Sequence, residues 1–216
     1  VLAVSAPLVP VKALDDAKGR LAPALGPIER RLLTIAMLED VVAALQATGG
    51  LEPPAVISPD REVWRRADAM GCRVIEEEAG ADDLNRSLAR AAGMLAGDSG
   101  LLVVAADLPL ASPEAIGRVL EAAARAPVVV VPSRDGAGTN VLAWRDRASF
   151  QPGFGPGSAA RHLAAPGALR HDEPGLALDV DTVADLRAVA ERVDPASVTG
   201  RRLRDLRLPD RLQQVP

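Results

Sequence analysis

Short apolar runs alternate with amphipathic stretches almost from end to end of this 216-residue chain. That alternation constrains the fold more than any single motif does. "LVPV" (8–11), "AVIS" (55–58), "CRVIEE" (72–77), "LLVVAA" (101–106), "VVVVP" (128–132), "TNVLAW" (139–144) and "LALDV" (176–180) read as strands. Between them, helices are predicted over 28–46, 60–70, 83–96, from Ser112-Pro113-Glu114 onward, and over 183–193. In the first, Leu32, Ile35, Ala36, Val42 and Leu45 recur at helical spacing, with Pro27 near the start. Strands and helices in alternation predict an α/β fold, a mostly parallel mixed sheet with helices on both faces. "LLVVAA" is the kind of run that such a sheet buries on both sides. Residues 1–193 are expected to form a single domain. Residues 194–216, with Arg201, Arg202, Arg204, Arg207 and Arg211 against Asp205 and Asp210, read as a polar, solvated or loosely docked tail.

In an open α/β sheet, ligands bind beyond the carboxyl ends of the strands, so the chemistry is sought just after the apolar runs. "VPVKALDDAKGRL" (9–21) follows the first strand and presents Lys12, Lys18 and Arg20. Three cations there suit a polyphosphate, and a plain basic surface loop is the competing reading. "VVAADLPLASPEAI" puts Asp107 directly after the most apolar strand. Ser112 already supplies the helix cap, so Asp107 has no structural role to fill. "GLALDVDT" (175–182) carries Asp179 and Asp181 two positions apart, so a strand would send both from one face, with Leu176, Leu178 and Val180 pointing together into a core. Two neighbouring carboxylates repel unless a cation sits with them. Thr182 and Asp185 make a T-x-x-D helix start, which frees Asp181 for another role, with capping in place of Thr182 as the competing reading. Three carboxylates at strand ends suit a hard divalent cation.

"PSRDGAGTNVL" (132–142) and "FGPGSAARH" (154–162) are Gly-containing turns. In the second, Gly155 and Gly157 lead to Ser158 at a helix start that could hold an anion or simply be a capped turn. His162 and His171 lack a metal-ligand spacing and read as structural, with His162 or Arg161 a secondary candidate for ligand contact. Neither a phosphate-binding G-x-x-x-x-G-K-[ST] loop, a G-x-G-x-x-G fingerprint nor a G-x-S-x-G elbow is present. Composition narrows the partners. With a net charge of −4 and few aromatics (Trp64, Trp144, Phe150, Phe154), the chain lacks the footprint of a nucleic-acid binder. It also lacks a run of about 18 apolar residues that would span a membrane. The single cysteine, Cys72, reads as a core residue and fits a reducing cytoplasm, and no signal-peptide pattern opens the sequence.

Taken in order, "VPVKALDDAKGRL", "AADLPL", "DGAGTNVL", "FGPGSAARH" and "GLALDVDTVADL" resemble the guanylyltransferases of coenzyme F420 biosynthesis, over residues 4 to 193. The resemblance implies a nucleotidyltransferase (Rossmann-like) fold. It also implies transfer of GMP from GTP to the phosphate of phosphoenolpyruvate or 2-phospho-L-lactate, with release of pyrophosphate. Asp107, Asp179 and Asp181 would hold Mg²⁺. Lys12, Lys18 and Arg20 would meet the GTP phosphates, and Asn85 and Ser87 of "DDLNRSL" (82–88) would lie near the guanine. Thr139, Gly155 and Ser158 would contact the three-carbon acid. The sequence departs from the family pattern at Gly19 and Ala137. A molybdenum-cofactor or sugar nucleotidyltransferase remains the alternative within the fold, although their Gly-rich opening loop is missing. A non-catalytic nucleotide-binding module is the alternative outside it. The resemblance leaves open a homo-oligomer or a contact with a pathway enzyme.

Overall fold

The computed structural model describes residues 4–212 apart from 16, 78–82 and 96, with no account of the side chains of 209 and 210. Seven strands form one sheet: β1 (Val4–Pro10), β2 (Ala55–Ser58), β3 (Arg73–Glu76), β4 (Gly100–Val104), β5 (Val128–Pro132), β6 (Thr139–Trp144) and β7 (Ala168–Arg170). Their order is β3-β2-β1-β4-β6-β5-β7. The pairs β1–β2, β1–β4, β2–β3 and β5–β7 are parallel, whereas β6 runs antiparallel to both β4 and β5. The mixed, mostly parallel sheet expected from the alternation is therefore observed. β7 is an addition, a three-residue edge strand whose Leu169 is exposed. It is too short to leave a pattern in the sequence.

Nine helices are described: α1 (Pro27–Ala47), α2 (Arg61–Ala69), α3 (Leu84–Met94), α4 (Pro113–Ala123), α5 (Ser158–Leu163), α6 (Pro174–Ala177), α7 (Val183–Ala190), α8 (Val198–Asp205) and α9 (Leu208–Leu212). None is long and apolar enough to cross a membrane. β4 shows why both faces are covered. Leu102 and Val104 pack with Leu38 and Val42 of α1, Val63 of α2 and Ile116 of α4 in one cluster. Leu101 and Val103 pack with Leu88 and Ala91 of α3 in the other. Successive residues of a strand face opposite ways, so a wholly apolar run needs a helix layer on each side.

Two expectations are corrected. Residues 176–180 are not a strand, since Leu176 and Ala177 close α6 and the chain then runs extended without joining the sheet. Pro174 starts that turn with its φ already suited to a helix. The side-chain amide of Asn140 takes the carbonyls of Leu176 and Ala177, both at 3.0 Å. Those acceptors then need no partner strand. Leu176, Leu178 and Val180 are nevertheless buried.

The second correction concerns the tail, whose described residues up to 212 are docked on the domain through buried leucines while Arg201, Arg204, Asp205 and Arg207 stay exposed. Leu203, Leu208 and Leu212 of α8 and α9 are buried with Leu33 and Met37 of α1, Leu178, Val180, and Leu186 of α7. Arg211 grips Glu29 at 2.7 and 3.0 Å and donates to the Ala24 carbonyl at 2.7 Å. The arginines that make this segment look solvated lie around an apolar stripe that closes a third core cluster.

Candidate active site

Loops at the carboxyl ends of β1 and β4 meet the extended residues before α7. Asp107 lies three residues beyond β4, and its carbonyl accepts the Val180 N–H at 3.2 Å. Ser112 caps α4 through the Ala115 N–H at 3.2 Å, which leaves the Asp107 carboxylate free of capping duty. At α7, Thr182 and Asp185 form the reciprocal cap, and Asp185 also accepts the Asp181 N–H at 3.3 Å. The Asp181 side chain is thus available as well. One carboxylate oxygen each from Asp107, Asp179 and Asp181 lies within 4.8 Å of the others, all three residues being partly buried.

A cation already sits among them. The Lys18 ammonium, its side chain 8% exposed, donates to Asp107 and, at 3.0 Å, to Asp181. Arg20 reaches the second oxygen of Asp181 at 3.1 Å. Lys18 adopts φ 57°, the left-handed region. A non-glycine residue there costs on the order of 1 kcal/mol, offset here by the ion pairs. Burial disfavours the Lys18 ammonium, but the two carboxylates outweigh it and raise its pKa. Burial likewise pushes Asp181 up, yet Lys18, with Arg20 and Lys12 behind it, brings it below the ordinary carboxylate value. Asp179 goes the other way. Burial and the nearby Asp107 raise its pKa against the hydrogen bond from Asn140, 3.2 Å from its Oδ1. Lys12 and Arg20 are exposed.

The two Gly-containing turns come together at the start of β6. Asp135 accepts from the Ser133 hydroxyl at 2.6 Å and the Ala137 N–H at 2.9 Å, shaping the β5–β6 turn around Gly136 at φ 76°. Arg134 ties that turn to Asp185 at 2.6 Å. The Ala159 N–H of α5 donates to the Ala137 carbonyl at 3.2 Å, and the Thr139 hydroxyl lies 2.9 Å from His162 Nδ1. Thr139 and Ser158 are buried, and Gly155 stands at φ 115°. The Ser158 N–H bonds the Gly155 carbonyl at 3.0 Å, closing the turn on itself.

Asn85 and Ser87 are engaged elsewhere. The Asn85 amide brackets Phe154, donating to its carbonyl at 3.1 Å and accepting its N–H at 2.7 Å. The Ser87 hydroxyl bonds Glu77. Asp82, which opens that stretch, lies outside the described residues. Asn140 escaped the sequence reading, although a buried amide inside an otherwise apolar strand was its signal. His162, expected to be structural, is buried against Phe154, ring centroids 4.9 Å apart.

Residues 5–191 match the family described as "Guanylyl transferase CofC like". The phosphoenolpyruvate guanylyltransferase of Nocardia farcinica is 42% identical over 205 residues, which is 92% of this chain and 90% of that protein. The protein of the same name from Streptomyces avermitilis is 40% identical over 187 residues, 84% of this chain and 86% of its own. Among solved structures, a putative nucleotide-diphospho-sugar transferase from Desulfovibrio desulfuricans superposes with a TM-score of 0.74 at 18% identity. It covers 98% of this chain and 97% of its own, and it places the fold among the nucleotidyltransferases. The matched span runs from the first strand through the helix that follows the paired aspartates, and the chain belongs to the CofC-like guanylyltransferase family.

Proposed function

We propose that the protein transfers GMP from GTP to the phosphate of phosphoenolpyruvate, releasing pyrophosphate, as a step of coenzyme F420 biosynthesis. The convergence of Asp107, Asp179 and Asp181 within 4.8 Å beside a loop bearing Lys12, Lys18 and Arg20 carries this reading. Relatives named phosphoenolpyruvate guanylyltransferase support the choice of acceptor. An acceptor phosphate oxygen bonds to the α-phosphorus of GTP, the bond to the β-phosphate bridging oxygen breaks, and pyrophosphate leaves. Because that oxygen is already ionised, no general base is needed. Bringing two anions together is the main obstacle. Lys12, Lys18 and Arg20 take the triphosphate, while Thr139, Gly155 and Ser158 hold the acid.

The three aspartates fit a divalent cation. Their donors are all carboxylate oxygens, which suit Mg²⁺, and an ammonium already occupies the space beside two of them. Bound there, such a cation would neutralise charge on the attacking and leaving oxygens. Asp179 receives a hydrogen bond from Asn140, and the Asp181 backbone is tied to Asp185, so both carboxylates are held in place before anything binds.

The test is Mg²⁺-dependent pyrophosphate release from GTP with phosphoenolpyruvate, with 2-phospho-L-lactate and without acceptor, alongside ATP and CTP. Release that requires phosphoenolpyruvate and prefers GTP is expected. GTP binding without release under any condition would instead mark a binding module.

A further inference from the structure

His162 is 2% exposed, and both of its ring nitrogens are engaged. Nε2 faces the Gly153 backbone N–H at 3.0 Å. An amide N–H only donates, so Nε2 is the acceptor and carries no proton. A neutral imidazole then has its proton on Nδ1, 2.9 Å from the Thr139 hydroxyl oxygen. Burial first, and the Arg161 charge second, lower the His162 pKa to about 4, which keeps the ring neutral near pH 7. The Thr139 oxygen must therefore accept from His162, and its own proton is left to give elsewhere.

We propose that His162 is a positioning residue which makes Thr139 a hydrogen-bond donor toward the anionic acceptor and fixes the Gly153–Gly157 turn relative to strand β6. The ring bridges the two elements that the proposed function assigns to the three-carbon acid, so the inference rests on that reading. The turn is held from other sides too. Asn85 brackets Phe154, and Arg161 donates to the carbonyls of Gly153 at 3.0 Å and Pro156 at 2.7 Å. Among the described residues, His162 alone passes from the turn to the Thr139 hydroxyl, and its ring packs so closely that a Cβ on Gly153 would meet Nε2 at 3.3 Å. Anion selectivity follows from the tautomer. A hydroxyl that already accepts from the ring offers its proton outward, whereas one that donated to the ring would present lone pairs to the acid.

The experiment combines a direct reading of the tautomer with kinetics. With two histidines in the chain, ¹⁵N-histidine NMR of the unmodified protein resolves each ring. The Nδ1–H form is expected for His162, and an Nε2–H form overturns the proposal. His162→Gln keeps an acceptor where Nε2 stood but loses the donor to Thr139. Its KM for phosphoenolpyruvate should rise about tenfold, the scale of one hydrogen bond to a charged group, with KM for GTP unchanged. His162→Asn, whose amide nitrogen sits where Nδ1 stood, should recover most of that loss. Thr139→Val should raise the same KM, and adding His162→Gln to it should cost nothing further. Equal rises in both KM values, or additivity of the two substitutions, overturn the coupling. If Thr139→Val leaves KM unchanged, the assignment of Thr139 to the acceptor fails and the proposal falls with it. If Thr139→Val raises KM but His162→Gln does not, only the role of His162 fails. The tautomer is read on the native chain, so the proposal remains falsifiable should His162→Gln not fold.

Discussion

Replacing Lys18 with methionine removes the ammonium that Asp107 and Asp181 share while keeping a side chain of similar length. One oxygen of each lies within 4.8 Å of one oxygen of the other. At an effective dielectric of about 20, two unit charges at that separation repel by about 3 kcal/mol. Asp107 and Asp181 side chains are 22% and 40% exposed, and Arg20 stays on Asp181, so solvent and the remaining guanidinium reduce the effect. Lys18→Met should therefore cost the metal-free protein about 2 kcal/mol, or about 4–8 °C in Tm for a chain of this size. The assay is thermal unfolding in EDTA and across a Mg²⁺ series. A divalent cation among the carboxylates supplies the charge that the lysine supplied, so the gap between variant and wild type should close as Mg²⁺ rises. Half-saturation should also fall at lower Mg²⁺ in the variant, where no ammonium competes for the carboxylates. A variant as stable as wild type in EDTA, or a gap that saturating Mg²⁺ does not narrow, would refute the view that Lys18 holds the place of a metal.

Three other substitutions probe the supports of the site. Asn140→Ala leaves the Leu176 and Ala177 carbonyls and the Asp179 carboxylate without their donor, and should cost about 2–3 kcal/mol in urea unfolding with at least a tenfold loss of Mg²⁺ affinity by calorimetry. The His162 pKa of about 4 lies below the ordinary histidine value of about 6.5, so the unfolded chain binds the proton first as pH falls. The contribution of the neutral ring is whole above pH 6.5 and is lost toward pH 4, by about 3 kcal/mol in all. That slope should vanish in His162→Gln when unfolding free energies are measured across the window. Truncation after residue 194 strips Leu203, Leu208 and Leu212 from their cluster, each worth about 2 kcal/mol of burial. The shortened chain should melt far lower or fail to fold by circular dichroism, whereas a docked but dispensable tail would leave Tm within a few degrees.

How much of this was legible in the sequence differs between the site and its scaffolding. Asp107 and Asp181 stand out by elimination, and Asp179 by its two-residue spacing from Asp181. Ser112 and Thr182 do the capping that Asp107 and Asp181 would otherwise explain, and capping is local chemistry that a sequence shows directly. The alternation of Leu178, Asp179, Val180 and Asp181 was read correctly for its faces but wrongly for its partner. Any extended segment sends successive side chains to opposite sides, whether or not a neighbouring strand pairs with it. What decides between strand and isolated segment is where the carbonyls go, and here that depends on Asn140, 36 residues away from Leu176. The ion pairs of Lys18 span 89 and 163 residues, beyond any local pattern.

The tail fails for a different reason. Its leucines are divided between two short helices by Arg207 at φ 49°, so neither helix alone shows a convincing apolar period. The same physical point connects these misses. A polar residue inside a buried run has to be satisfied by something, and where no nearby group in the sequence can do so, it predicts a contact with a distant segment. Asn140 in "TNVLAW" and His162 in "SAARHL" are both such residues. One anchors the segment that carries Asp179, and the other anchors the turn that faces Thr139. Unexplained buried polar groups thus point to the segments that a distant contact holds in place, just as carboxylates without a capping role point to the candidate site.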